Sequence, residues 1–350
     1  MSLALNRLSE CANAKDKEKF SKIFSECVSG IRSKEYDGFA PSSAYTQALL
    51  QIASKRPGDF FMIQEGEKIV GRAGVTRYLS NKEFACLGFF ETTTPEVARL
   101  LVEAAEDWAR KSGCKMLYGP VDINTWFSYR FFVSATDAHR YSWEPVQPPE
   151  YPVIFEGLGF ERVETYFTRG VDFSVDEPIV NLLSLTSVAY EGAKAKGYVF
   201  EQFQDAEGLL SLLGDLYEVC MSAFPGAFLF EPLTPSVFQM LYMSVANQRD
   251  FSSSHLVRNS QGTVVGFLFS FLDKDQIVIK TIAVSPELRG LHLSTALIHL
   301  TLKVAHARGI KKYISALVRE GNSSEHLFNA RTTADHKTWD HQYALYGKKL

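Results

Sequence analysis

Arg289 and Gly290, set between a strand-like run and a helix-like run, are the residues of this chain best placed for chemistry. The segment reads Ile282-Ala-Val-Ser-Pro-Glu-Leu-Arg-Gly-Leu-His-Leu-Ser-Thr-Ala-Leu-Ile298. A β-branched run from Ile277 to Val284 meets Pro286, and an Arg-Gly turn follows. Leu293, Leu297, Leu300, Val304 and Ala307 then recur every three or four residues, which gives a helix one apolar face. Gly309 stands where a helix C-cap belongs, and Ile310 to Val318 reads as the next strand. A strand, a tight turn and a helix start presented behind an arginine make an anion site. The first backbone N–H groups of a helix have no intrahelical partner, and its dipole is positive there. The anion that suits such an end is a phosphate or pyrophosphate.

The order Val284-x-Pro286-x-x-Arg289-Gly290-x-x-x-Ser294, followed by helix and strand, resembles the coenzyme A loop of the GNAT superfamily of N-acetyltransferases. The family pattern is Arg or Gln, two residues, Gly, one residue, then Gly or Ala; here His292 stands at the Gly and Ser294 at the small position. The resemblance implies that Ile282, Ala283, Val284, Arg289, Gly290, Leu291, His292, Leu293 and Ser294 bind the cofactor. Glu320-Gly-Asn-Ser-Ser-Glu-His-Leu-Phe328 resembles the family's second loop and helix, and this adds Asn322 to the cofactor contacts. Phe328 occupies the place near which the family keeps a tyrosine acid. The likeness covers roughly Tyr198 to Leu350.

What the family implies chemically is direct acyl transfer from acetyl-CoA, as cosubstrate and without a metal, to a small-molecule or peptide amine. A neutral amine attacks, an oxyanion forms and a thiolate leaves. Backbone N–H groups near Ile282 to Val284 would stabilise the oxyanion. The base is a carboxylate, for which Glu231, Asp273 and Asp275 are the nearby acidic candidates, or a water relay; Tyr343 and Tyr346, on the final strand-like segment, are either replacements for the missing acid or core residues.

An internal repeat extends the assignment to the first half. Ile69-Val-Gly71 recurs as Val264-Val-Gly266, an offset of 266 − 71 = 195 residues. Arg110-Lys-Ser-Gly113-Cys-Lys115 recurs as His306-Ala-Arg-Gly309-Ile-Lys311, an offset of 309 − 113 = 196. Between these landmarks Thr94 caps a helix that Pro95 opens, and Val97, Leu101, Ala104, Ala105 and Trp108 form its apolar face. The fold class is therefore α/β, with two tandem GNAT-like domains, each a mixed, mostly antiparallel twisted sheet flanked by helices. Residues 1–172 form a degenerate copy, 173–196 a linker helix, and 197–350 the copy that carries the acyl-CoA site. The first copy lacks the Arg-Gly loop; its Phe89-Phe-Glu-Thr-Thr-Thr-Pro95 places Glu91 where it would repel a pyrophosphate.

Inside the first copy, an insertion from Asp122 to Glu150 is rich in aromatics. Trp126 and Tyr129 each offer a flat apolar face with a polar handle, which suits an acceptor contact in a cleft between the domains; the alternative is an aromatic packing plug. His292, His299 and His306 lie seven residues apart, about 10 Å along a helix, too far to share one metal. His336 and His341, beside Asp335 and Asp340, lack a second ligand pair of recognised spacing.

With 350 residues, 46% hydrophobic and 22% charged, the chain is long enough for two substantial cores. A net charge of −3 gives no reason to expect nucleic acid or membrane as a partner. No apolar run reaches the ~18 residues that span a bilayer, the N-terminus carries no signal-peptide core, and five scattered cysteines read as reduced thiols; the expected location is cytoplasmic. No feature specifies an oligomeric state. Two rival functions stand beside the transferase: a catalytically inactive coenzyme A-binding or interaction protein, favoured by His292 and Phe328, and an acyltransferase using aminoacyl-tRNA, against which the charge balance argues.

Overall fold

The computed structural model describes residues 2–134, 139–173, 177–203, 205–246, 250–322 and 337–350. The elements of the first half are β1 (Leu3–Arg7), α1 (Ala14–Glu26), α2 (Val28–Ile31), α3 (Lys34–Asp37), α4 (Ser43–Ala53), β2 (Gly58–Glu65), β3 (Lys68–Arg77), β4 (Phe84–Thr92), α5 (Pro95–Lys111), β5 (Met116–Gly119), β6 (Phe131–Phe132), α6 (Glu150–Gly157) and β7 (Glu161–Asp172). The second half adds α7 (Glu177–Ala195), β8 (Val199–Gln202), α8 (Ala206–Ser211), α9 (Leu213–Ala223), α10 (Pro235–Ala246), β9 (His255–Arg258), β10 (Val264–Asp273), β11 (Gln276–Val284), α11 (Leu293–Ala307), β12 (Lys312–Arg319) and β13 (Lys337–Lys349).

These elements divide into two units. The first comprises Met1–Thr136, Trp143–Thr165 and Gln342–Leu350; the second comprises Asp137–Ser142 and Tyr166–His341. In the first unit the strands run β1-β2-β3-β4-β5 and close with the end of β13. In the second they run β8-β9-β10-β11-β12 and close with β7. Both sheets are antiparallel except for one parallel pair, β4 with β5 and β11 with β12. The repeat expected from Gly71 and Gly266 is thus a repeat of sheet order. Its last member, however, comes from the other half of the sequence in each case. Residues 342–350, expected in the domain 197–350, complete the first unit, and Tyr166 to Asp172, expected in the domain 1–172, complete the second.

Helix α5 forms for the reasons visible in its sequence. Thr94 accepts from the Val97 N–H as N-cap, Pro95 occupies the first turn, and Arg110 and Lys111 oppose the dipole at the far end. Val97, Leu101, Ala104 and Ala105 are buried with Phe61, Ala73, Leu87, Leu117, Phe155 and Tyr346 in the first unit's core. The second core gathers Leu293, Ala296, Leu297, Leu302 and Ala305 of α11 with Val257, Leu268, Ile277, Ile279 and Tyr313 of its sheet. Helix α7 packs on α11, and Thr186 and Tyr190 hold His299 there: Nδ1 lies 3.0 Å from the Thr186 Oγ1, and the rings of Tyr190 and His299 stack at 5.3 Å. Among the described residues no helix is long and apolar enough to cross a membrane.

Candidate functional site

The second unit contains a gap between two strands. β11 and β12 pair in parallel from Gln276 opposite Lys312 to Ile279 opposite Ser315, and there the pairing ends. Both strands turn at that level. Lys280 is an extra residue in β11, bulged where β10 passes from Phe269 to Ser270. In β12 the register against β7 shifts between Ser315 and Val318, and Leu317 takes a left-handed conformation, φ 60°. Past the split, Thr281 to Val284 keep β10 on one edge and have no strand partner among the described residues on the other.

Beyond Val284 lies the turn expected to hold an anion. The Ser285 N–H still donates to the Val265 carbonyl, and Pro286–Leu288 make a single 3-10 turn. Arg289 is exposed with no ion pair among the described residues, and Gly290 follows at φ 87°. His292 is the N-cap of α11 at φ 57° and ψ 24°, and its side chain does not cap the helix. The first-turn N–H groups of Leu293, Ser294 and Thr295 are therefore left for an external acceptor. This position takes the left-handed conformation that glycine adopts most readily, and His292 holds it at a cost of about 1–2 kcal/mol relative to glycine. Ile282, Val284 and Leu291 pack half-buried against the α11 core, Ala283 and Leu293 are buried, and Ser294 is half-buried. Asn322 is exposed in the turn after β12, its N–H donating to the Arg319 carbonyl. Residues 323–336, with Phe328 and His336, lie outside the described residues.

The same place in the first unit is shut. β4 and β5 pair from Phe84 opposite Met116 to Cys86 opposite Tyr118, and then the chain folds back into the opening. The Val121 N–H donates to the Leu87 carbonyl at 2.8 Å, and the Phe89 N–H donates to the Asp122 carboxylate at 2.5 Å. Gly88 makes this possible: a Cβ there would stand 2.3 Å from the Val121 carbonyl oxygen. Only Thr93 and Thr94 connect β4 to α5, and Thr94 spends its hydroxyl as the cap. Burial pushes the Asp122 carboxyl up to about 6, against the Phe89 N–H and the Arg72 charge, which pull it down.

Glu91 does not do what its sequence position suggested. It is buried and takes both Arg32 Nε and Nη2 at 2.8 Å, while Tyr151 donates to it at 3.0 Å. Its charge is paired with the Arg32 guanidinium.

Several other expected residues fall elsewhere. Tyr343 and Tyr346 are fully buried in the first unit, where Tyr343 donates to Glu144 and Tyr346 to Glu156 at 3.0 Å. They are core residues of that unit. Glu231 is buried in the α9–α10 connection. Asp273 accepts from both the N–H and the hydroxyl of Ser142, and Asp275 from Lys312 at 2.6 Å, so each has a structural partner. The insertion is not one body: residues up to 134 and from Trp143 onward belong to the first unit, His139 to Ser142 to the second. Trp126 and Tyr129 are placed in the first unit, within the turn that shuts its gap; both are half-buried, and the Arg130 guanidinium lies 3.5 Å from the Tyr129 ring centre. His341 is buried beside Trp339, and no metal-holding group of three His, Cys, Asp or Glu occurs among the described residues.

Sequence reasoning missed Ser254, Ser270 and Thr168, the buried hydroxyl residues beside the two bulges of the open gap. Bulge positions depend on strand register, which the chain pattern alone does not display.

Comparison with known proteins bears on the fold. Residues 213–331 match the acetyltransferase (GNAT) family. No curated protein matches the sequence. Among solved structures, the chain is similar to a tandem GNAT protein from the clavulanic acid biosynthesis pathway, with 12% identity and a TM-score of 0.53 over 99% of this chain and 98% of the other. It is also similar to a conserved protein of unknown function from Enterococcus faecalis, described as a probable N-acyltransferase, with 10% identity and a TM-score of 0.54 over 100% of this chain and 73% of that one. At these identities the likeness is one of fold. The chain has the fold of tandem GNAT proteins, and its residues 213–331 match the acetyltransferase (GNAT) family.

Proposed function

We propose that this protein is an acyl-CoA-dependent N-acyltransferase, with acetyl-CoA as donor and one cofactor site per chain, in the second unit. The observation that carries the reading is the contrast between the units: an open strand gap with an uncapped helix start and Arg289 in one, a gap filled by Val121 and Asp122 in the other. In this reading the uncapped N–H groups of Leu293 to Thr295, with Arg289, hold the pyrophosphate. The unpaired edge of Thr281 to Val284 takes the pantetheine and acyl carbonyl. The amine nitrogen attacks the carbonyl carbon, the C–S bond breaks, and the thiolate leaves with a proton. Backbone N–H groups of Ile282 to Val284 stabilise the oxyanion. Glu231 remains the candidate base, Asn322 a contact at the far end of the cofactor, and Trp126 and Tyr129 candidate acceptor contacts.

Calorimetry with acetyl-CoA tests the site: one mole per chain is expected, and Arg289→Glu abolishes binding by putting like charge beside the phosphates. A stoichiometry of two, or unchanged affinity in that variant, overturns it. A second reading, coenzyme A binding without turnover, is favoured by the location of Tyr343 and Tyr346 in the other unit's core. Thiol release from acetyl-CoA across a panel of amines decides between the two.

A further inference from the structure

Each wall of the open gap bends at a bulge, and opposite each bulge stands a buried hydroxyl. On the β12 side, Ala316 and Leu317 together face the single residue Thr168 of β7. The Thr168 Oγ1 accepts the Leu317 N–H at 3.2 Å and lies 3.4 Å from the Tyr141 hydroxyl. On the β11 side the bulged Lys280 lies where the β10 register steps from Phe269 to Ser270. There β10 has already lost its other neighbour, because β9 pairs only as far as His255 opposite Leu268. Both backbone groups of Ser270 are taken by one hydroxyl: the Ser254 Oγ accepts the Ser270 N–H at 2.9 Å and donates to its carbonyl at 2.6 Å. The Ser253 and Ser270 hydroxyls bond at 2.8 Å, and Thr301 of α11 donates to the Ser253 carbonyl at 2.9 Å. Thr168, Ser253, Ser254, Ser270 and Thr301 are all fully buried.

A regular strand partner would satisfy the same backbone groups without any polar side chain in the core, but it would also hold β10 and β12 straight. Hydroxyls satisfy the groups while leaving the bend in place, and a fully satisfied buried network is rigid. We infer that Thr168 and Ser254 are positioning residues: their hydroxyls lock the two bulges and thereby fix where Thr281–Val284, and the β12 backbone past its bulge, point into the gap. The inference rests on the proposed acyl-CoA site and adds residues that touch neither cofactor nor substrate.

The test uses the isotope-labelled full chain and compares amide signals with coenzyme A and with acetyl-CoA. In the wild type, residues 281–284 are expected to respond differently to the two ligands, while Leu293 to Thr295 respond alike. Thr168→Val, nearly the same shape, should remove most of that acyl-specific difference and leave coenzyme A affinity within about threefold; Thr168→Ser should restore it. Ser254→Ala should do the same from the other wall. A variant that melts earlier yet keeps the full acyl-specific response shows a merely structural hydroxyl and overturns the inference. Should Ser254→Ala not fold, Thr301→Val against Thr301→Ser reads the same wall: loss of the acyl-specific response supports the inference, and its persistence overturns it. No wild-type response to either ligand refutes the cofactor site itself; a response at α11 without an acyl-specific one at 281–284 refutes only the positioning role.

Discussion

Replacing Asp122 with Asn should stabilise the first unit above neutral pH and leave it unchanged in acid. The carboxyl's ordinary value is 3.8, and burial raises it to about 6 in the fold. For an acid, a raised value means that the native state holds the proton more tightly than the unfolded chain. Between those two values the native state binds more protons, so stability falls as pH rises. The cost of the ionised group is fully present above about pH 6 and disappears below about pH 4. A shift of that size corresponds to about 3 kcal/mol. The Arg72 and Arg32 charges and the Phe89 N–H favour the carboxylate, and Glu91 opposes it, but burial outweighs them. Asn keeps a side-chain oxygen for the Phe89 N–H and cannot ionise. Asp122→Ala removes that acceptor as well, which leaves a buried N–H unpaired at about 1–3 kcal/mol.

The assay is urea unfolding followed by tryptophan fluorescence from pH 4 to pH 8. Of the four tryptophans, Trp108, Trp126 and Trp143 lie in the first unit, so the signal reports mainly on it. Asp122→Asn is expected to gain about 2 to 3 kcal/mol over the wild type at pH 8 and nothing at pH 4, with Asp122→Ala below it throughout. An Asn variant less stable than wild type at pH 8 would falsify the reasoning, because it would mean that Arg72 stabilises the ionised carboxylate more than burial disfavours it.

Three further outcomes follow from the geometry. His292→Gly should relieve a left-handed side-chain residue and change coenzyme A affinity by no more than about tenfold, ~1.4 kcal/mol, in calorimetry; a gain of several hundredfold would mean that the natural loop is closed to the cofactor. A chain ending at His341 lacks the strand that completes the first sheet, so limited proteolysis should cut within residues 1–136 before it cuts β10 or β11; the opposite order would contradict the strand assignment. Trp126→Ala should raise the acceptor's KM with coenzyme A affinity within about twofold, whereas a variant that only lowers Tm marks Trp126 as packing.

The parts of the fold that local chemistry dictates were legible in the sequence. Thr94-Pro95 and the spacing of Val97, Leu101 and Ala104 specify α5, and the Arg289-Gly290 turn marks the break before α11. What local chemistry does not dictate is which strand finishes each sheet. β7 and β13 are both strands near the end of a half, and only long-range burial decides that Tyr346 joins the Phe155 core while Val171 joins that of Tyr313. That exchange put Tyr343 and Tyr346 in the first unit's interior. The shut gap did leave one mark: Gly88 inside a buried strand, a residue choice that signals another backbone passing close by. Glu91 was misread because its partner Arg32 lies 59 residues away.

The strand exchange also bears on why a copy with a shut gap persists. Thr168 belongs by sequence to the first half, yet it sits in the second unit and holds the Leu317 N–H at the bend of β12. Without residues 166–172 the second sheet would end at β12, whose outer edge would lose its partners from Lys312 to Arg319. An unpaired β12 has nothing to bulge against, and the gap depends on that bulge. In the other direction, the first unit's core includes Ala344 and Tyr346 from the chain's last residues. Neither half of the sequence therefore contains a complete sheet of its own. The first half could lose its cofactor loop without consequence for the proposed chemistry, but it could not lose β7. Retention of a degenerate copy needs no second ligand to explain it: the strand it lends backs β12, one wall of the open gap.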